Sequence, residues 1–403
     1  MKQPQILRAA LQRLWSPALL ASAAAFVLAG VPIAGRTADP FELNVIMPVT
    51  GPLAFVGKSE GDAMRALETF VNAHGGVRGR PIKVNILDDA TNPQNSVQLT
   101  NELIGKKVTV FAGSSLAAMC NAMAPLVKNG PLQYCFSPSF RPEVGGFVFS
   151  GDFSSDDCIK VGARYLRDRG LRRIAVLNAT DATGQDADKA IDEILAQKGN
   201  ETINVVAREH FNPSDISVRA QLTRIKAVNP QALISYASGA ALATILRGMQ
   251  EVGLDVPILS SPANMSYPQL DSYKAFVPAQ LLFPGHAWFT PEYVQDRNWR
   301  QKITEYTDSI KAAGQRPDKI GAEAWDVGML IVEALRRAGP DASSEKLRET
   351  IMNMNGVYGV LGRYDYRTTP MRGLNASSIP IDRWDPVKGD FVAVSKPGGE
   401  PIR

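Results

Sequence analysis

Residues 71–89 run Val71-Asn72-Ala73-His74-Gly75-Gly76-Val77-Arg78-Gly79-Arg80-Pro81-Ile82-Lys83-Val84-Asn85-Ile86-Leu87-Asp88-Asp89. The paired glycines end one element and reverse the chain, because glycine takes a positive φ without a Cβ clash. Before them, Gly57–His74 places Ala63, Ala66, Leu67 and Phe70 on one stripe, the pattern of an amphipathic helix. After them, Ile82–Leu87 is a short apolar run that reads as a strand. A helix that turns sharply into a strand is half of a β-α-β unit. Upstream, Leu43–Pro48 supplies the other strand, and Gly51-Pro52 makes the turn that launches the helix.

The same alternation continues outward in both directions. Pro93–Ile104 reads as a helix, and Val108–Ala112 and Leu132–Phe136 read as strands on either side of a helix-like segment containing Cys120. A second series begins after Val148–Ser150. It has helices at Cys158–Arg169, Gln185–Lys198, Ser217–Val228 and Ala240–Val252, alternating with strands at Ile174–Leu177, Ile203–Arg208, Ala232–Tyr236 and Ile258–Leu259. Helices follow at Asn298–Ala313 and Lys319–Ala338, and Gly362–Val394 reads as short strands. Repeated β-then-α units predict the α/β class, with two doubly wound parallel-sheet lobes.

The 403 residues leave room for a large core in each lobe, and 45% hydrophobic with 21% charged residues excludes a disordered or coiled-coil chain. The 44 Lys and Arg against 40 Asp and Glu mislead about the body. Lys2, Arg8, Arg13 and Arg36 fall within residues 1–38, which contain no acid, so the remainder is formally neutral. No nucleic-acid partner is expected. Three of those cations precede the apolar run Ala18–Ala34, and small residues follow, the layout of a secretory signal peptide cleaved between Ala34 and Ala38. With no cysteine there, a lipoprotein anchor is not expected, and the body is read as periplasmic.

An exported chain meets an environment that permits disulfides. In a β-α-β unit the helix starts, and the next strand ends, on one edge of the sheet, which brings Cys120 and Cys135 within reach of each other. A disulfide and a pair of buried thiols both fit, and Cys158 is left over as a small buried hydrophobe.

The sequence offers little to a catalyst. His74, His210 and His286 are the only histidines, and they lack metal-ligand spacing. Gly113-Ser114-Ser115 begins like a nucleophile elbow, but position 117 is Ala where the second glycine belongs. No phosphate loop occurs. Asp88-Asp89 and Asp156-Asp157 read as caps and turns. The expectation is no enzyme, no catalytic residue, no metal and no cofactor.

The segment Pro48-Val49-Thr50-Gly51-Pro52-Leu53-Ala54-Phe55-Val56-Gly57, followed by Asn72-x-x-Gly75-Gly76-Val77-x-Gly79-Arg80 and Asp88-Asp89, resembles the type I periplasmic solute-binding proteins of branched-chain amino-acid (Leu/Ile/Val) ABC transport. A weaker echo runs from Ser214-Asp215 through Thr223-Arg224-Ile225-Lys226 to Asn229-Pro230. The resemblance implies two lobes joined by three crossover segments. Residues 39–152 and 286–362 would form lobe 1, and 153–285 and 363–403 lobe 2. It further implies a monomer that closes on a small amino acid or carboxylate and docks on a membrane permease. A sensory protein that presents the same lobes to a receptor is the alternative.

By the same resemblance, ligand contacts are expected in loops beyond the strand ends. The Gly113–Ala118 loop offers Ser115, Ala117 and Ala118 to a carboxylate. The Phe136–Arg141 loop offers Ser139 and Arg141, whose guanidinium would take a carboxylate bidentately. Phe55 supplies an apolar wall, and Thr183 and Ser238 stand where the family often has Tyr. The family's acid for an α-ammonium would fall near Ser260-Ser261-Pro262. No acid stands there, and Asn264 is the nearest polar side chain. A carboxylate ligand without an ammonium is therefore an equal expectation.

Overall fold

The computed structural model describes residues 39–289 and 293–402, so the signal peptide read at residues 1–38 lies outside the described residues. The first lobe is assembled in chain order from β1 (Phe41–Met47), α1 (Ala54–Ala73), β2 (Ile82–Asp88), α2 (Pro93–Gly105), β3 (Val110–Ala112), α3 (Ala117–Met123), β4 (Leu132–Cys135) and β5 (Val148–Ser150). Its five strands are all parallel, in the order β2-β1-β3-β4-β5. The second lobe comprises α4 (Ser155–Asp168), β6 (Arg173–Ala179), α5 (Ala182–Leu195), β7 (Asn204–Phe211), α6 (Arg219–Ala227), β8 (Ala232–Ser235), α7 (Ala240–Val252), β9 (Ile258–Ser260), α8 (Tyr267–Ser272) and β10 (Leu281–Pro284).

The chain then returns to the first lobe with α9 (Arg297–Ala312), α10 (Lys319–Ala338) and α11 (Ser344–Met352), and a hairpin of β11 (Asn355–Tyr358) and β12 (Arg363–Asp365). It ends in β13 (Ile381–Asp385) and β14 (Asp390–Ala393), which add an antiparallel edge to the second sheet, ordered β14-β13-β10-β9-β8-β6-β7. The chain crosses between lobes three times: after β5, after β10, and between the hairpin and β13. Tyr366, just past β12, still belongs to the first lobe, where its hydroxyl meets that of Tyr134 at 2.6 Å. The third crossing therefore comes later than residue 362.

The glycine-rich stretch works as a clamp. Asn72 donates to the Ile82 carbonyl (2.9 Å) and accepts from the Ile82 N–H (2.7 Å), tying the end of α1 to the start of β2. At Gly76, φ is +61°, and a Cβ would lie 2.2 Å from the Arg80 carbonyl oxygen, so no other residue fits. Arg78 donates to the carbonyls of Arg336 and Arg337, both at 2.7 Å, supplying acceptors at the end of α10 with the partners they lack within the helix. The helix α10 is buried along most of its length, Gly328 included; a Cβ there would come 2.6 Å from Leu67 on α1. Trp325 packs in the core against Phe70 and Tyr306. Asp326 accepts from the N–H groups of Val360 (2.7 Å) and Leu361 (2.9 Å), and burial pushes its carboxyl up to about 6.

Cys120 and Cys135 are joined by a disulfide, and Cys158 is free and buried. Asp88 and Asp89 bind loops: Asp88 accepts from the Thr50 hydroxyl at 2.6 Å, and Asp89 from the Thr91 N–H at 2.9 Å and from the Ser114 hydroxyl. Two expectations shift. The strand read from Val108 starts at Val110, and α11 was not anticipated because Ser344–Met352 buries only Leu347 and Ile351, too few apolar positions to set a period.

Candidate functional site

The two sheets present their carboxyl-end loops to the space between the lobes. There a nearly closed cavity of about 20 Å³, room for about one water molecule, is lined by Leu53, Val56 and Glu60 of the α1 region, Ser115, Leu116 and Pro138 of the first-lobe loops, Ser238 and Ala263 of the second lobe, and Lys319, Ile320 and Glu323 of α10. Its walls are apolar on one side, and its few polar groups are buried or half-buried, so a ligand larger than water enters only when the lobes part.

The charges come from two helices. Glu60 sits on the buried face of α1, one turn before Ala63 and Met64, and accepts from the Ser115 hydroxyl at 2.6 Å. Lys319 and Glu323 occupy the first turns of α10, whose start is capped by Asp318 accepting from the Gly321 N–H at 2.7 Å. The Lys319 ammonium lies 2.5 Å from Asp152 on the first crossover and 2.8 Å from Glu323. Burial alone would lower the Lys319 pKa; the two carboxylates more than offset that and raise it. Burial and repulsion by Asp152 push Glu323 up to about 8, against the attraction of Lys319. Glu60 is raised well above the carboxylate range by burial, with Ser115 opposing and Glu323 and Asp89 adding repulsion. Glu323 Oε1 and Ser238 Oγ are buried without a hydrogen-bond partner among the described residues.

The crossovers carry their own polar set. Arg372 is buried and donates to Ser150 Oγ (2.7 Å) and to the carbonyls of Asp152 (2.8 Å), Phe153 (3.2 Å), Pro138 (3.0 Å) and Phe140. The His286 imidazole is held neutral by burial and by repulsion from Lys319, while the His286 backbone N–H donates to Asp382 at 2.9 Å. Among the described residues no His, Cys, Asp and Glu cluster is placed to hold a metal ion, and no helix is long and apolar enough to cross a membrane.

Of the residues expected from the sequence, the cavity brings together Ser115 and Ser238. Ala117 is buried in α3, while Ala118 is exposed. Ser139 is buried and pairs with Ser155 at 3.3 Å, joining the Phe136–Arg141 loop to the start of α4. Thr183 is buried in the first turn of α5 and is not part of the cavity lining. Asn264 spends its amide on loop structure: it donates to Ala237 (2.7 Å) and Ser260 (3.2 Å) and accepts from Gly239 and Gln269 (both 3.0 Å). Phe55 lines a separate pocket with Tyr267, Tyr306 and Arg316.

Arg141 lies outside the cavity lining. Its guanidinium lies bidentate on Asp156 of α4 (2.8 and 3.0 Å), pairs with Asp186 of α5, and approaches Glu193 at 3.6 Å. Acids on the facing helices occupy it, so it bridges the lobes at the rim instead of lining the cavity. Glu60, Lys319, Glu323 and Arg372 escaped the sequence reading. The available signal was a charged residue on an otherwise apolar face: Glu60 extends the Ala63–Leu67 stripe backward by one turn, and Lys319 and Glu323 are one turn apart on an almost wholly apolar helix.

A family model described as periplasmic binding protein matches residues 41–379. The Pseudomonas aeruginosa leucine-, isoleucine-, valine-, threonine- and alanine-binding protein is 22% identical over 335 residues, covering 81% of this chain and 86% of that protein. The Escherichia coli Leu/Ile/Val-binding protein is 20% identical over 315 residues, covering 76% and 80%. Among solved structures, the Streptococcus pneumoniae branched-chain amino-acid substrate-binding protein LivJ, in complex with isoleucine, superposes with a TM-score of 0.73 at 18% identity, covering 88% of this chain and 99% of that one. A Rhodopseudomonas palustris ABC-transporter solute-binding protein in complex with 3,4-dihydroxybenzoic acid gives 0.71 at 21% identity, covering 88% and 96%. The structural likeness carries the two-lobed fold.

Proposed function

Because the chain belongs to the periplasmic binding protein family, we propose that it is the exported solute-binding component of an ABC importer. After loss of its leader the monomer captures a small amino acid or related carboxylate between the lobes. It then docks its closed form on the membrane permease and releases the solute unchanged, without a cofactor. Closure follows from differential affinity: contacts from both lobes exist only when they meet, so the ligand shifts the population toward the closed form. A micromolar dissociation constant corresponds to about −8 kcal/mol. Two or three hydrogen bonds to charged groups, at about 1.5–3 kcal/mol each, together with the Leu53, Val56 and Ile320 wall, are of that size.

The observation that carries the reading is the cavity between the lobes, with buried polar atoms from Glu60, Ser115, Ser238 and Glu323 converging on one small volume. The relatives named for amino acids and the neighbour holding an aromatic acid support the ligand class. Mass spectrometry of the compound released on denaturing natively purified protein tests it. One small solute near one per chain is the expected result. Protein that releases nothing, and whose melting is shifted by neither an amino-acid pool nor an aromatic-acid pool, would overturn the proposal.

A further inference from the structure

The family's acid for an α-ammonium is missing near Ser260-Ser261-Pro262, yet the cavity is rich in acid from the other lobe. Glu60 on α1 and Glu323 on α10 both line it. Glu323 uses Oε2 on Lys319 and leaves Oε1 buried and unpartnered, on a residue that is only 5% exposed. Glu60 takes the Ser115 hydroxyl and has no ion pair among the described residues. Two buried cations, Lys319 and Arg372, face three carboxyls, those of Asp152, Glu323 and Glu60, so acid is in excess by one. Leu53, Val56 and Ile320 close the remaining side with hydrocarbon.

We propose that the solute carries a cationic nitrogen, a primary ammonium or an amidinium, and that this group docks between the carboxylates of Glu60 and Glu323 while its apolar body lies on Leu53, Val56 and Ile320. This rests on the solute-binding reading above and deepens it. The amine end is held by the first lobe alone, so capture begins there, and Ser238 and Ala263 close over it from the second lobe. A solute with only a carboxylate would meet two acids, and would bind only with both protonated.

The two alternatives differ in the sign of their proton linkage. Facing the pair are Asp89 beyond β2, Asp152 and Arg372 on the crossovers, and Lys319 on α10, with His286 neutral nearby. Carboxyls held protonated by burial and by one another ionise when a cation arrives, so an amine releases protons on binding and binds more tightly as pH rises from 6 to 8. A bare carboxylate takes protons up and weakens over the same range.

Calorimetry of the purified full chain, in buffers of differing ionisation enthalpy, reads this directly. The probes are L-leucine, 3-methylbutylamine and 4-methylpentanoate, followed by a panel of primary amines and amidines. The proposal expects binding by an amine-bearing probe with proton release, weakened by at least about tenfold in Glu60→Gln. That variant keeps the acceptor for Ser115 and removes a buried acid, so its melting temperature should hold or rise; Glu323→Gln, which keeps an acceptor for Lys319, provides a second reading. Binding of 4-methylpentanoate with proton uptake, or no binding by any amine or amidine, overturns the cation subsite. In either case a different small molecule released by native protein leaves the solute-binding reading standing, whereas release of none fails both.

Discussion

Replacing Arg141 with alanine separates two roles for one side chain. The guanidinium joins the first-lobe loop to Asp156 and Asp186 on second-lobe helices, with Glu193 at longer range. Its side chain is 35% exposed, so water and salt screen these pairs, and each of the two close ones contributes about 0.5–1 kcal/mol. Together they favour the closed arrangement by about 1–2 kcal/mol, a factor of about 5–30 in the closed population. When the free protein is mostly open, the apparent dissociation constant weakens by that factor for every ligand, charged or neutral. In 1 M salt, where the screening length is about 3 Å, the gap between wild type and variant should shrink to less than about twofold. Calorimetry at low and high salt, with a carboxylate-bearing ligand and the amide of that carboxylate, measures both effects, and small-angle scattering follows closure. If the acid loses more than about tenfold while the amide is untouched, Arg141 grips the ligand itself and the latch is wrong.

Lys319→Met leaves Asp152 and Glu323 buried without their cation, and should destabilise the fold by about 3–5 kcal/mol in urea titrations, less at pH 5 than at pH 8; a loss under about 1 kcal/mol would refute the network. Asp382 is pushed up to about 8 by burial, against the hydrogen bond from the His286 backbone N–H, while an unfolded Asp titrates at about 3.9. The folded chain therefore holds a proton that the unfolded chain gives up, so stability is greatest below about pH 4 for this group and falls as pH rises toward 8. Asp382→Asn should remove up to about 1.4 kcal/mol per pH unit from that slope, read from melting curves between pH 5 and 8, with Glu60 and Glu323 keeping the remainder negative. Opening the Cys120–Cys135 bond, which closes a separation of 15 residues, should cost about 3 kcal/mol in urea, and alkylation without reductant should label one thiol, not three.

Much of the architecture was legible along the chain because it rests on local periodicity. Ala63, Ala66 and Leu67 recur at helical spacing, Leu43–Met47 is a short strand apolar except at Asn44, and Gly75-Gly76 marks a reversal at positive φ. The loop bonds of Asn264 were not legible, because a polar side chain near the cleft looks the same in sequence whether it faces a ligand or ties two loops together. Nor were the ion pairs of Arg141, because the acids that hold it come from helices 15 and 45 residues away.

By itself, then, the amino-acid order determined the alternating elements, the two-lobed α/β class and the resemblance that names the family, since each depends on neighbours within a turn or a strand. Only the tertiary structure decided which charges share the cavity. Glu60 and Lys319 are more than two hundred and fifty positions apart and meet because α1 and α10 pack side by side through Gly328 and Leu67. Whether a charge is screened, paired or left protonated depends on the distance and burial that such packing creates, and neither is a property of a residue's place in the chain.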